Sequence, residues 1–247
     1  MKAIILAAGV GNRISSAHAT AKCLLEFDGT SLLERHIRVL RKLGVTDINL
    51  CLGHEAPAVL ERLQQKGLTD ISHKHNPLYN LGSIVSLWSM RDVLCDSTSD
   101  VLVMDADVLY HPEILSRLIH SPSKDCFLID RHYIDGDEPV KICIENEKIV
   151  EFRKKIDPSL VYDRIGESVG FFKFCASTAV RLKEIIAGFI EAGMESQPHE
   201  EALRELAINT DYNIGVEDIT GLPWIEIDYP EDIERASHEI LPKINVT

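Results

Sequence analysis

Lys2-Ala-Ile-Ile-Leu-Ala-Ala-Gly-Val-Gly-Asn-Arg13 decides the fold: an apolar run of strand length stops at two glycines and an arginine, with Lys22 standing alone beyond them. A strand buried in an α/β sheet reads as a continuous apolar run because helices cover both of its faces. Ligands of such sheets bind beyond the carboxyl ends of the strands, and Gly9 and Gly11 lie in the loop after the first one. Glycine permits positive φ and close backbone approach, so successive N–H groups can turn inward around an anionic phosphate. Arg13 and Lys22 add the mobile positive charge that a triphosphate requires. The spacing G-x-G-x-R is neither the dinucleotide fingerprint nor a Walker loop. Two glycines after a strand are also a plain tight turn.

Outward from this stretch, Asp47–Leu52, Asp100–Met104 and Asp125–Ile129 are further runs of β-formers, separated by segments with helical spacing. In Leu32–Leu43 the residues Leu33, Ile37, Leu40 and Leu43 make one stripe, which ends at Gly44. Helices are also predicted over Ser83–Leu94, Pro112–Ile119, Thr178–Ala192, Glu200–Ile208 and Pro230–Ile240. Val140–Ile144 and Lys148–Lys154 read as paired strands around Glu145-Asn-Glu147, and Gly166–Phe174 as another. The alternation predicts an α/β fold with a mixed, mainly parallel central sheet, helices on both faces and a β-rich second half. No internal repeat or linker interrupts it, so one domain over residues 1–247 is expected, with halves 1–120 and 121–247.

At 247 residues the chain can bury a substantial core. No stretch approaches the run of about 18 apolar residues that a membrane span needs, and Ala3–Ala8 is too short for a signal-peptide core, so it reads as a mature strand. Lys and Arg number 26 against 39 Asp and Glu, a net charge of −13 with the basic residues scattered, which argues against nucleic acid as a partner. The six cysteines form no C-x-x-C pair; free thiols in a reducing cytoplasm account for them.

Carboxylates supply the second signal. Val101-Leu-Val-Met-Asp-Ala-Asp-Val108 is an apolar strand ending in Asp105 and Asp107, which suits Mg²⁺ beside bound phosphates. In Leu222-Pro-Trp-Ile-Glu-Ile-Asp-Tyr-Pro-Glu-Asp-Ile233, Glu231 and Asp232 complement the first turn of a helix, whereas Asp228 either meets Asp107 across the site or serves as a structural cap. Asn80–Ser83 precede a helix with free backbone groups, Ser83 being alternatively an N-cap, and Ser86 lies one turn further. Glu167 and Lys173 are six residues apart and project to one sheet face if the strand is regular, either toward a ligand or as a cross-strand ion pair. Arg131 and Lys154 are further cations that could hold an anion. His73, His75, His132 and His199 fall in polar loops and read as surface or packing residues.

The string LAAGVGNR with Lys22 beyond it resembles the signature L-A-A-G-x-G-x-R…P-K of nucleotidyltransferases that make NDP-sugars and CDP-alcohols, with Ala21 in place of the proline. W-x-E-I-D-x-P-E-D resembles the C-terminal motif of cytidylyltransferases acting on phosphocholine, inositol 1-phosphate and aminoethylphosphonate. The resemblance implies the nucleotide-diphospho-sugar transferase fold, CTP and a small phosphate- or phosphonate-bearing acceptor as partners, pyrophosphate release, and Mg²⁺ as cofactor. It implies catalytic roles for Arg13 and Lys22, metal ligation by Asp107 and Asp228, and nucleotide binding by Leu6, Ala7, Ala8, Gly9, Gly11, Asn12, Arg13, Asn80, Gly82, Ser83 and Asp105. Arg131, Lys154, Glu167 and Lys173 become the acceptor side. A quaternary ammonium acceptor would be boxed by aromatic faces, for which Tyr79, Trp88, Tyr110, Tyr133, Tyr162 and Trp224 are available. A homodimer is open. So are a sugar-1-phosphate nucleotidyltransferase using UTP, dTTP or GTP, a D-x-D glycosyltransferase, and a non-catalytic nucleotide-binding regulator.

Overall fold

The computed structural model describes residues 1–11, 13–14, 21–96, 98–209 and 212–244. In chain order these form β1 (Lys2–Ala7), β2 (Glu26–Phe27), β3 (Thr30–Ser31), α1 (Leu32–Lys42), β4 (Asp47–Leu52), α2 (Ala56–Gln65), β5 (Ser72–His75), α3 (Ser83–Ser89), α4 (Arg91–Leu94), β6 (Val101–Asp105) and β7 (Val108–Tyr110). The chain continues through α5 (Pro112–His120), β8 (Cys126–Asp130), β9 (Lys141–Glu145), β10 (Lys148–Arg153), β11 (Arg164–Phe174), α6 (Ala176–Glu191), α7 (His199–Ile208), β12 (Gly215–Asp218), β13 (Trp224–Glu226), α8 (Pro230–Arg235) and α9 (Leu241–Ile244).

The central sheet runs β10-β9-β11-β6-β1-β4-β5, with β8 and β12 joined beside β11. β6, β1, β4 and β5 are parallel, and β11, β9 and β10 continue antiparallel, so the sheet is mixed. β1 lies in the middle. Its alternate residues face opposite sides: Ala3, Ile5 and Ala7 pack with Leu33 and Ile37 of α1, Val59 of α2 and Leu115 of α5. Ile4 and Ala8 join Ile84 of α3, Leu182 of α6 and Leu203 of α7 on the other side. Fully burying one such aliphatic side chain is worth about 1.5–3 kcal/mol, and this double burial is why β1 carries no polar residue after Lys2. A smaller cluster of Leu25, Phe27, Leu109, Ile225 and Ile227 fastens the C-terminal segment beneath β7.

Local chemistry sets the ends. Ser31 caps α1 by accepting the Glu34 N–H at 3.2 Å, and the buried Glu34 carboxylate receives Arg62 of α2 at 2.8 Å, tying the two helices together. The helix expected over Ser83–Leu94 is divided at Met90 into α3 and α4. The helix expected from Pro230 to Ile240 passes into a π-turn over Ala236–Ile240 before α9, so its end lies beyond the expected one. The sequence reading passed over α2, whose start is marked by Pro57 in its first turn. It also passed over β5, an edge strand of purely polar sequence, Ser-His-Lys-His.

Candidate active site

Two cavities, each of about 370 Å³, share Glu226 in their walls. The first is floored by Leu6, Ala7 and Ala8 where β1 ends and by Asp105 where β6 ends, a registered pair Leu6↔Asp105. Gly9 and Gly11 form its rim. Gly11 has φ +63°, a left-handed conformation natural to glycine, and a Cβ there would lie 2.8 Å from Cγ of Lys22. The loop thus holds the Lys22 stem against bare backbone. Gly9 has open space around it. Asn12 lies outside the described residues.

Lys22 turns its ammonium between two carboxylates, 2.7 Å from Asp228 Oδ1 and 3.2 Å from Asp107 Oδ2. Desolvation alone would lower its pKa, but the charges of Asp107 and Asp228 outweigh that and raise it. The two acids are brought together by backbone. β13 pairs antiparallel with β7, and Ile227 N–H donates to the Asp107 carbonyl at 2.9 Å. Glu226 completes a trio with Asp107 and Asp228 in which one carboxylate oxygen from each lies within 4.8 Å of the others. It was missed in the sequence, although a position two residues before Asp228 on an extended segment shares its face. Three hard oxygen donors suit Mg²⁺, and the Lys22 ammonium between two of them shows that the spot favours a cation.

Other expected residues are placed differently. Arg13 does not line the first cavity: it pairs with Glu138 at 3.2 Å and Asp228 at 3.6 Å and lies 4.9 Å over the Tyr229 ring. Asn80 and Ser83 line the first cavity. Gly82 does not, because it is pressed against the backbone of Ser196 and Gln197, where any Cβ would collide. Ser83 is no N-cap; Gly82 holds that position. The Ser83 hydroxyl instead accepts the backbone N–H of His199 at 2.8 Å and lies 3.0 Å from its Nδ1. Ser86 accepts Asn76 Nδ2 at 3.1 Å and fixes the loop. Asp105 is held well above the usual carboxylate range, first by desolvation and then by the charge of Asp107. His199, expected in a polar loop, begins α7 and is 3% exposed.

The second cavity is lined by Asp130, Tyr133, Glu138, Glu167, Trp224 and Tyr229 among others. Trp224 Nε1 donates to Asp130 Oδ2 at 2.8 Å. The Glu167 carboxyl has no hydrogen bond or ion pair among the described residues. Burial, helped by the Asp130 charge, pushes its carboxyl up to about 7. Lys173 does not join it. The two do share a sheet face, since Glu167 lies opposite Asp130 and Lys173 opposite Cys126 on β8 and Val169 and Phe171 between them pack in one core cluster, but six residues of strand set them roughly 20 Å apart. Lys173, itself 4% exposed, instead donates from its ammonium to the carbonyl of Ser121 at 2.9 Å, under the end of α5. Arg131 is also absent from the cavity; it pairs with Asp218 at 2.8 Å. Lys154 does not line the cavity either, but meets Glu138 of its wall at 3.1 Å.

Residues 3–151 match the family model of the MobA-like NTP transferase domain, and the chain belongs to that family. It is therefore a nucleotidyltransferase. It is 26% identical over 97% of its length to the bifunctional IPC transferase and DIPP synthase of Rubrobacter xylanophilus, of which it spans 52%. It is 24% identical over 95% of its length to the CTP:phosphoglutamine cytidylyltransferase of Campylobacter jejuni, covering 98% of that protein. In fold it is similar to the inositol-1-phosphate CTP transferase from T. maritima, with a TM-score of 0.77, 22% identity, and 98% and 95% of the two chains covered.

Proposed function

We propose that this member of the MobA-like NTP transferase domain family transfers the cytidylyl group of CTP to a small phosphate- or phosphonate-bearing acceptor, releasing pyrophosphate. The observation that carries this is the pair of cavities meeting at Asp107, Glu226 and Asp228 with Lys22 between the acids. A phosphate ester with its second pKa near 6 is already largely ionised at neutral pH, so no general base is needed and positioning and charge neutralisation do the work. An acceptor oxygen attacks the α-phosphorus of CTP; the new P–O bond forms as the bond to pyrophosphate breaks. Asp107, Glu226 and Asp228 would hold Mg²⁺, which supplies charge neutralisation at the phosphates. The Gly9–Gly11 backbone faces the triphosphate, and the Lys22 ammonium neutralises the reacting phosphates from its seat on Gly11. Arg13 and Lys154 converge on Glu138, where the acceptor's phosphate would compete as their counter-anion.

The relatives named for CTP support the choice of nucleotide. For the acceptor, the unpaired Glu167, Asp130 and the Tyr133 and Trp224 rings favour a molecule whose far end is cationic. Pyrophosphate release would be measured with CTP and phosphocholine, 2-aminoethylphosphonate or inositol 1-phosphate, with UTP, dTTP and GTP as controls. CTP with a cationic acceptor is the expected best pair, and Asp107→Asn or Asp228→Asn should each lower turnover at least about 100-fold. Preference for another nucleotide with sugar 1-phosphates, or folded variants keeping wild-type turnover, would overturn the proposal.

A further inference from the structure

His199 is buried at the first turn of α7 and still faces the first cavity. Its position is fixed from two sides. The segment before it is stitched to the loop before α3, Gly82 N–H donating to Glu195 O at 2.9 Å and Ile84 N–H to Gln197 O at 3.3 Å. On the ring itself, the Ser83 hydroxyl occupies Nδ1 at 3.0 Å. The opposite nitrogen, Nε2, is fully buried and has no hydrogen-bond partner among the described residues, Asp105 Oδ1 at 3.8 Å being beyond bonding range. A buried nitrogen left unpaired costs about 1–3 kcal/mol, and native proteins keep few such groups without a reason. Glu200 Oε2, buried on the same wall, lies 3.1 Å from Nδ1, so that side of the ring is occupied by Ser83 and Glu200 together.

The place of this nitrogen in the cavity specifies what it meets. Its wall carries Asn80 and Ser83 from the loop into α3, and also Gly9, Gly11, Lys22 and Asp107. His199 joins the two sets, its ring 3.0 Å from the Ser83 hydroxyl and 3.8 Å from Asp105, which ends β6 two residues before Asp107. A nucleoside triphosphate laid with its phosphates at the glycines and its base at the Asn80 loop puts its sugar there. We propose that His199 Nε2, with Asp105 beside it, hydrogen-bonds a ribose hydroxyl and so makes this chain discriminate against a nucleotide that lacks that hydroxyl. The assignment rests on the nucleotide site proposed above and adds the sugar to it.

Binding of CTP, 2′-deoxy-CTP and 3′-deoxy-CTP to the full chain with Mg²⁺ and no acceptor, followed by calorimetry, tests it. The wild type should bind CTP at least about 10-fold more tightly than one of the two deoxy analogues, the loss expected when a buried group goes unpaired. In His199→Phe, which keeps a buried ring and the backbone bond to Ser83, and in His199→Gln, which restores a hydrogen-bonding group, folding is checked by thermal unfolding. The ratio should collapse to within about twofold in the first and recover in part in the second. Wild-type binding of CTP with no discrimination against either analogue overturns the sugar assignment alone. So does a collapse of the CTP-to-UTP ratio in His199→Phe with the deoxy ratio intact, which would make His199 a reader of the base. No binding of any ribonucleotide overturns the nucleotide site as well.

Discussion

Replacing Glu167 by Gln should stabilise the protein at alkaline pH and leave it unchanged in acid. The Glu167 carboxyl has an ordinary value of 4.5 and is pushed up to about 7 in the folded chain by burial, with Asp130 of β8 adding to the rise and Arg235 and Lys141 opposing it. A raised folded value means that the native state holds a proton the unfolded chain gives up. The associated stability is fully present below pH 4.5, falls as pH rises through 7, and is gone above it. At about 1.4 kcal/mol per pH unit, the gap between 4.5 and about 7 corresponds to about 3 kcal/mol. A neutral amide in the same place escapes that cost. For a chain of this size about 3 kcal/mol moves the melting temperature by roughly 6–12 °C. Thermal unfolding of both proteins between pH 4.5 and 8.5, without ligand, should give curves that coincide in acid and separate through neutrality, the variant melting higher. A difference constant with pH would refute the reasoning, as would a less stable variant at pH 8.

Gly170→Ala forces a left-handed backbone on a side chain, at about 1–2 kcal/mol, and puts a methyl 2.5 Å from Asp105 Oδ2; it should lower the melting temperature and weaken CTP binding together. Lys22→Met removes the ammonium from between Asp107 and Asp228. Turnover should fall at least about 100-fold, while Mn²⁺ bound without nucleotide, followed by electron paramagnetic resonance, should bind more tightly; an unchanged Mn²⁺ affinity would show that the lysine does not compete for the acids. Phe172→Ala deletes a ring with its centroid 4.7 Å from that of Phe127 in the core, and should cost about 3–5 kcal/mol of stability, read from denaturant unfolding.

What the sequence made legible is what depends on short-range order. The apolar run of β1, the glycines behind it, Asp107 after β6 and Asp228 after β13 each follow from a strand and its exit loop, and the structure assembles them around one point. Residues whose role depends on a distant partner were not legible. His199 is identifiable only when the segment before α7 is seen docked on Gly82. Lys173 does share the sheet face of Glu167, but far along the strand its ammonium is taken by the Ser121 carbonyl at the end of α5, a partner that periodicity cannot reveal. Arg131 and Arg13 show that a cation near a cavity serves whichever carboxylate lies closest, here Asp218 and Glu138. β5 escaped detection because its neighbour β4, and not its own side chains, makes it a strand.

Strand β11 also divides what mutation can reach. Glu167 faces the second cavity, whereas Val169, Phe171, Phe172 and Phe174 of the same strand are locked in the two faces of the core. A change at Glu167 can therefore alter which molecule is received without repacking the protein, while a change at any of the other four is felt by the whole sheet. One strand thus serves both as the wall that meets a ligand and as the frame that holds the wall in place.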